Sequence, residues 1–372
     1  MDLELYIFDA NLNRKGIIDT YEKVEFELNY EKHSLCFLTV EGTARNIELL
    51  LQDEIRIIAR SDDLNRGYMV ESAEFIDEAK TEINIIAWSM SFITSWRTIE
   101  RQQRYTGNVE DVIKAFINAN CINPTNSKRK IPNLVLGFNT GINIDTEITH
   151  SHKQLDDALW PDCMANEMSF EILLNHNAKK FVFSTYQGVD RSAQQNINSH
   201  VIFAKAFDNV AKQSYTNDKS SYKTTAYVAG EGEGVARKVV TIGDEHEGLN
   251  RRELFVDARD LQAKYEDDNG QEVILNEEQY IETLRKRGKA KQAEYQHVRT
   301  FTSDIDLMTR FIFGRDYFIG DKVTIRNDEL GVVMHTRVTT AKETFDRSGY
   351  DLKIDFGNAI PTLIDKLKRE VK

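Results

Sequence analysis

Lys23-Val24-Glu25-Phe26-Glu27-Leu28-Asn29 and Ser34-Leu35-Cys36-Phe37-Leu38-Thr39-Val40, separated by Tyr30-Glu31-Lys32-His33, decide how the chain begins to fold. The first segment alternates polar and apolar side chains, and the second is apolar along most of its length. Both patterns belong to strands with one face in a core. Outward from this pair the same reading covers Leu3 to Phe8, Glu54 to Ala59, Arg66 to Asp77 and Thr81 to Trp88. Short polar connectors, Ser61-Asp62-Asp63 and Glu78-Ala79-Lys80, separate neighbours as in a meandering antiparallel sheet. Residues 3–96 are therefore expected to form a small barrel or sandwich.

Near Asn108 the period changes. Asn108 can cap a helix carrying Glu110 and Asp111 in its first turn, with Val112, Ile113, Phe116 and Ile117 on one stripe. This second unit continues through the Asn-, Pro- and Lys-rich loop Asn123 to Lys130 and a short helix around Gln154 to Trp160. A hairpin follows, Ser169 to Leu174 and Lys180 to Ser184, turned by Asn175-His176-Asn177-Ala178. Another strand-rich run spans Val201 to Tyr227. It is interrupted by residues 236–312, which hold a strand, Lys238 to Ile242, and a helix of about 20 residues. Asn276 is that helix's N-cap, with Gln279 at the capping-box position. Strands resume at Asp321 to Asn327, Val332 to Thr340 and Tyr350 to Phe356. The flanking strands are too few to stand alone, so strand, helical block, strand reads as one β-unit with an insertion. The fold class expected is α+β: two β-domains, each paired with a mixed α/β unit.

The 372 residues suffice for several compact units. With 41% hydrophobic and 29% charged residues and a mean hydropathy of -0.49, the composition is that of a folded globular chain. Met1 to Asn11 lacks the basic and long apolar regions of a signal peptide, and no stretch approaches the roughly 18 to 20 apolar residues that span a bilayer. Cys36, Cys121 and Cys163 are odd in number and widely spaced, which points to reduced thiols rather than a disulfide framework or zinc site. A net charge of -12 argues against gripping phosphate backbones, though not against a surface that DNA slides past.

The most conspicuous motif is Gly230-Glu231-Gly232-Glu233-Gly234, followed by Arg237. If extended, Glu231 and Glu233 share a face, loosely like a glycosidase carboxylate pair. The favoured reading is structural: glycines that allow positive φ and close approach of another chain, with carboxylates pairing Arg237 or facing solvent. The motif lacks the lysine and strand-loop-helix setting of a phosphate loop. Asp244, Glu245, His246 and Glu247, or His150 with His152, could offer metal ligands, but neither set has a recognised ligand spacing. Arg285, Lys286, Arg287, Lys289 and Lys291 form a basic run that Glu277, Glu278, Glu282 and Glu294 surround, so a salt-bridged solvated face is expected. Pro361 to Lys372 is amphipathic, with Leu363, Ile364 and Leu367 on one side, and is expected to dock on its own protein or a neighbour. No catalytic, cofactor-binding or metal-binding residue is assigned, and no cofactor is expected.

Three segments together resemble the baseplate hub, or tail-associated, proteins of long-tailed bacteriophages and prophages. They are Gly230 to Gly234 with Arg237; Arg251-Arg252-Glu253-Leu254-Phe255-Val256-Asp257; and Gly320-Asp321-Lys322-Val323-Thr324-Ile325 with Gly331-Val332, Arg337-Val338-Thr339 and Ile354-Asp355-Phe356-Gly357. Their order and spacing carry the resemblance across residues 230–357. It implies tube-like β-barrels at 1–98 and at 201–238 with 313–357. Smaller α/β domains are implied at 99–200 and at 239–312 with 358–372. It further implies a homotrimeric, pseudo-six-fold ring at the virion tail tip, assembled in the host cytoplasm, that closes or extends the tail tube channel. The implied partners are the distal tail protein, the tape-measure protein, receptor-binding or tail-fibre proteins, and phage DNA in transit without specific binding or membrane insertion. Longer relatives carry a peptidoglycan-cleaving region, whereas this sequence stops about 15 residues after Gly357, so no enzyme is expected. The competing readings are a carbohydrate-binding module, which exposed aromatics in one cleft would favour, and a wall hydrolase.

Overall fold

The alternation of residues 3–96 resolves into seven strands, one short α-helix and a closing 3-10 helix (Met90–Trp96): β1 (Leu5–Asp9), β2 (Arg14–Ile18), β3 (Lys23–Asn29), β4 (Leu35–Glu41), α1 (Ala44–Leu50), β5 (Arg56–Arg60), β6 (Asp63–Asp77) and β7 (Thr81–Ser89). This computed structural model describes residues 3–78, 80–266, 271–305 and 311–357. The amphipathic segment 361–372 lies outside them. Alternate side chains of β3 and β4, Val24, Phe26, Cys36, Leu38 and Val40, enter one core, and β2 and α1 close its side.

The second unit holds β8 (Thr98–Ile99), β9 (Gln103–Asn108), α2 (Val109–Ile117), β10 (Leu134–Leu136), β11 (Asp145–His150), β12 (Lys153–Gln154), α3 (Leu155–Ala165), β13 (Ser169–Asn175) and β14 (Lys180–Tyr186). Asn108 caps α2 through its side chain, as the sequence predicts. The helix predicted around Gln154 to Trp160 runs on through Pro161 to Ala165. Val112, Ile113, Phe116 and Ile117 pack with Leu155, Leu159, Phe170 and Phe183 into a second core.

Beyond it come β15 (Ile202–Ala204) and β16 (Val210–Asp218), then β17 (Thr225–Ala229), β18 (Val239–Ile242), β19 (Glu253–Asp257), β20 (Lys264–Glu266), β21 (Glu272–Ile274) and α4 (Glu277–Ala293). The chain continues in β22 (Val298–Ile305), β23 (Lys322–Asn327), β24 (Val332–Asp346) and β25 (Gly349–Gly357). The capping box at Asn276 and Gln279 is formed.

Strand pairing differs from the expected grouping in two places. Thr225–Ala229, read with the 201–238 strands, pairs instead with β18 and β19 in a separate three-stranded sheet, which α4 covers around Ala226, Val228 and Leu284. Val298–Ile305, read within the inserted block, joins the main sheet between β16 and β25. Its core-facing positions include Thr300 and Ser303 beside Phe301 and Ile305, so polarity does not alternate along it. The inserted chain thus leaves after β16 and returns through β22, where Asp218 lies opposite Val298.

One sixteen-stranded, largely antiparallel sheet links both halves of the molecule, the joint being β3 against β24. Among the described residues no helix is long and apolar enough to cross a membrane. The three cysteines are free and buried, which pushes their thiols up.

Candidate assembly site

Two strands of fifteen residues organise the main sheet. The first part of β6 pairs with β5 and its remainder with β7, with a register shift between Val70 and Ser72. The first part of β24 pairs with β23 and its remainder with β25, with a register shift between Val338 and Thr340. The chain therefore builds one device twice: a long strand, bulged near its middle, between two shorter antiparallel partners. Bulges of this kind bend a strand and increase local twist.

Arg60 and Glu343 tie the two devices together. Both are buried, at 9% and 6% exposure, and are ion-paired. The guanidinium also binds Asp62 and lies over Phe26 and Phe345, 4.9 and 5.4 Å from the ring centroids. Tyr350 donates to Glu343 at 2.9 Å. Burial opposes the charge on Arg60, but the bonds to Asp62 and the charge of Glu343 outweigh it and raise its pKa. On the polar face nearby, Glu27, Lys342, Lys353 and Asp304 stand side by side on β3, β24, β25 and β22. Lys342 pairs with Glu25 and Lys353 with Asp304, so the two neighbouring lysines are flanked by carboxylates and both signs are present there. Beyond β22, β16 is the last strand of this path among the described residues.

The closing signature segment secures a second joint. Asp321 accepts from the backbone N–H groups of Val189 (2.7 Å) and Phe318 (3.0 Å) and from Arg191 (2.9 Å). Arg337 donates to Gly320 O and lies over Tyr30, 4.7 Å from the ring centroid. A Cβ on Gly188 would stand 1.9 Å from Gly320 O, so only glycine lets these two loops meet.

The other two signature segments converge on the open face of the three-stranded sheet. Arg237 donates to Gly230 O and Ala229 O, both at 2.9 Å, and to Asp257, with Phe255 beneath it at 5.8 Å. Arg251 donates to Glu253, Tyr227 Oη and Asp244, with the Tyr227 ring beneath it at 5.8 Å. Bonds from Arg259 and Arg237 hold the Asp257 carboxyl at about 2. Between these clamps Phe255 and Val239 remain 62% and 49% exposed. The sequence showed both segments, but not that β17 and β19 run parallel and bring them to one face.

Gly230 to Gly234 is a loop at the end of this sheet. Gly232 and Gly234 have φ of 101° and 54°. The close approach at Gly230 comes from the chain's own Tyr280, whose hydroxyl would stand 2.3 Å from an added Cβ. Tyr280 Oη accepts from the Glu231 N–H at 2.7 Å, and Glu233 is exposed. Neither glutamate lies in a strand, so the extended arrangement that would set them on one face is not formed.

Asp244 pairs with Arg251, and Glu245 with His246. His150 and His152 are not brought together: His152 is exposed with φ 51°, while His150 is buried and donates through Nε2 to Asp162 at 2.5 Å. Among the described residues, no three His, Cys, Asp or Glu side chains are grouped to hold a metal ion. The basic run of α4 is not simply a solvated face. Lys286 reaches Glu147 at 2.8 Å, and Arg287, 7% exposed, binds Asp260 at 3.0 Å and Thr149 O at 3.0 Å, fastening the insertion to the second unit.

A family model described as Siphovirus ReqiPepy6 Gp37-like protein matches residues 4–358. The chain belongs to this family of phage tail proteins. Solved structures of tail proteins share its fold. A tail protein from Neisseria meningitidis MC58 is similar over 96% of this chain and 97% of its own, with a TM-score of 0.59 at 12% identity. The 43 kDa tail protein of prophage MuSo2 from Shewanella oneidensis covers 95% and 98%, with 0.57 at 10% identity. The prophage tail protein gp18 from Listeria monocytogenes EGD-e covers 99% and 98%, with 0.54 at 11% identity. A search of curated protein sequences finds no match.

Proposed function

We propose that this tail protein is the hub of the tail tip, a homotrimeric ring that closes or extends the tail tube and connects it to host-recognition proteins. The observation that carries the reading is the repeated device, β5-β6-β7 and β23-β24-β25, joined into one sheet through β4 and β3, with β3 against β24. Three copies of a chain holding two equivalent units give six around a ring. Each unit is one tube-like barrel, formed around residues 1–98 and around 201–218 with 298–357. The units at 99–200 and 219–297 sit outside the channel. Neighbouring protomers cover open strand edges such as β16, which would otherwise invite uncontrolled pairing. DNA and the tape-measure protein pass through, and the distal tail protein and receptor-binding or tail-fibre proteins attach at the two faces.

The test is the assembly itself. Negative-stain images of the purified chain should show a three-fold ring. A strict monomer in light scattering at tens of micromolar, an order-of-magnitude choice that would catch even modest affinity, alone and with the distal tail protein, would overturn the reading.

The proposed role is not enzymatic, and Glu231 and Glu233 serve the geometry of their loop. Changing both to Gln should leave activity on host cell wall at background. Robust hydrolysis by the native chain that disappears in the double variant would restore the hydrolase alternative.

A further inference from the structure

The two repeated devices differ at one edge. In β24 the stretch after the bulge, 340–346, is paired on both sides, with β25 and with β3, and its Ala341, Glu343 and Phe345 are buried. In β6 the matching stretch, 72–77, pairs with β7 alone among the described residues, and positions 72–75 are exposed. At the end of the sheet, β16 pairs with β22 alone among the described residues. We propose that β16 of one protomer completes the open edge of β6 in the next, antiparallel, with 213–218 against 77–72. This rests on the trimeric reading and gives that ring the register of its joint.

The chain carries its own template for the contact. Laid bulge on bulge, the two ladders set β7 on β25, β4 on β22 and β3 on β16. Phe37 faces Ile86 as Thr302 faces Asp355, and Lys23 faces Thr39 as Lys212 faces Asp304. Residues 23–29 thereby match 212–218 one for one. Within the chain Asn29 faces Thr340 and Lys23 faces Asp346. The same register between chains sets Asp218 opposite Ser72 and Lys212 opposite Glu78.

The side chains suit that register. Phe75, 43% exposed, falls opposite Tyr215, whose ring packs on Phe301 at 4.8 Å, in the place that Glu343 takes against Phe26. Aromatic pairs across strands are stabilising, and like charges directly opposite are not. None meet here: Glu74 falls opposite Thr216 and Asp77 opposite Gln213, while exposed Lys212 meets exposed Glu78 as Lys23 meets Asp346. Each chain offers one edge and fills another, a head-to-tail contact that closes into a ring when the joint between chains turns as the joint within a chain does.

The experiment is disulfide trapping of the full chain under mild oxidation. E74C/T216C sets two thiols on directly opposed strand positions, within bridging distance. E74C/S214C, two residues out of register, sets its Cα atoms roughly 7 to 8 Å apart, too far to bridge without backbone movement. Cys36, Cys121 and Cys163 are buried, so the single variants should stay unlinked. On a non-reducing gel E74C/T216C should give a ladder ending at three chains, with about tenfold or more linked product than E74C/S214C, as that difference in reach requires. Equal linking of both, or linking of E74C/S214C alone, would overturn the register. A trimer that links in neither would overturn the pairing and leave the trimeric reading standing, whereas a monomer would overturn both. A ladder running past three chains would uphold the pairing and overturn the closed ring.

Discussion

Glu110 sits in the first turn of α2, where a carboxylate is ordinarily a solvated partner of the helix dipole. Here it is buried and accepts from the N–H groups of Thr140, Gly141 and Ile142 and from the Thr140 and Thr185 hydroxyls. Burial raises its pKa, but these bonds together win and hold it at about 2. Its folded value is below the ordinary 4.5, so its stabilisation is present above 4.5 and is lost as pH falls toward 2. Glu110→Gln should cost on the order of 3 kcal/mol in urea unfolding at pH 7 and flatten the acid slope below pH 4.5; equal slopes would assign that sensitivity elsewhere. His150 has the same sign. Burial lowers its pKa against the pull of Asp162, so stability should decline as pH drops below 6.5, where the unfolded chain takes up a proton that the native site resists. Urea midpoints at pH 7.5, 6.5 and 5.5 should show this decline in the native chain and not in His150→Gln. The sequence offered His150 as a possible ligand beside His152; its partner, Asp162, comes from a helix whose placement no local pattern reveals.

At the level of elements, Gly288 decides how closely α4 approaches its sheet. A Cβ there would stand 2.4 Å from both Val228 Cγ2 and Ile242 Cδ1. Alanine improves helix propensity by up to about 1 kcal/mol, yet overpacking costs about 1 to 3, and β-branched Val228 cannot easily turn aside. Gly288→Ala should therefore lower the thermal midpoint, and a higher one would mean that the sheet yields. In the sequence Gly288 shows only its local cost to the helix; the contact that requires it comes from the sheet. The cap of α4 was legible because Asn276 and Gln279 act within one turn. The β22 strand was not, because Thr300 and Ser303 occupy buried positions that a polarity pattern assigns to solvent.

Across the whole molecule, the ion pair of Arg60 with Glu343 joins positions remote in sequence, and removing one partner strands the other charge. Arg60→Met should cost about 3 to 5 kcal/mol and loosen the β3 to β24 joint, seen as faster exchange in both strands; protection unchanged there would remove the pair from the joint. The charge of -12 and the mixed polar face predict no retention of duplex DNA between 50 and 200 mM salt, roughly the range over which phosphate contacts show themselves. Binding that weakens with salt in a gel-shift assay would contradict this. That the chain is mostly sheet was readable from strand alternation, whereas the continuity of the sheet depends on a pairing with no local signature. That pairing, Lys23–Asn29 with Thr340–Asp346, also imposes a timetable on biosynthesis. The ribosome makes β3 early and its partner only after some three hundred further residues, so one side of β3 waits unpaired for most of translation. Such distant closure is slow. It withholds the finished joint between the repeated units until both have been synthesised, so a half-made chain cannot complete the sheet.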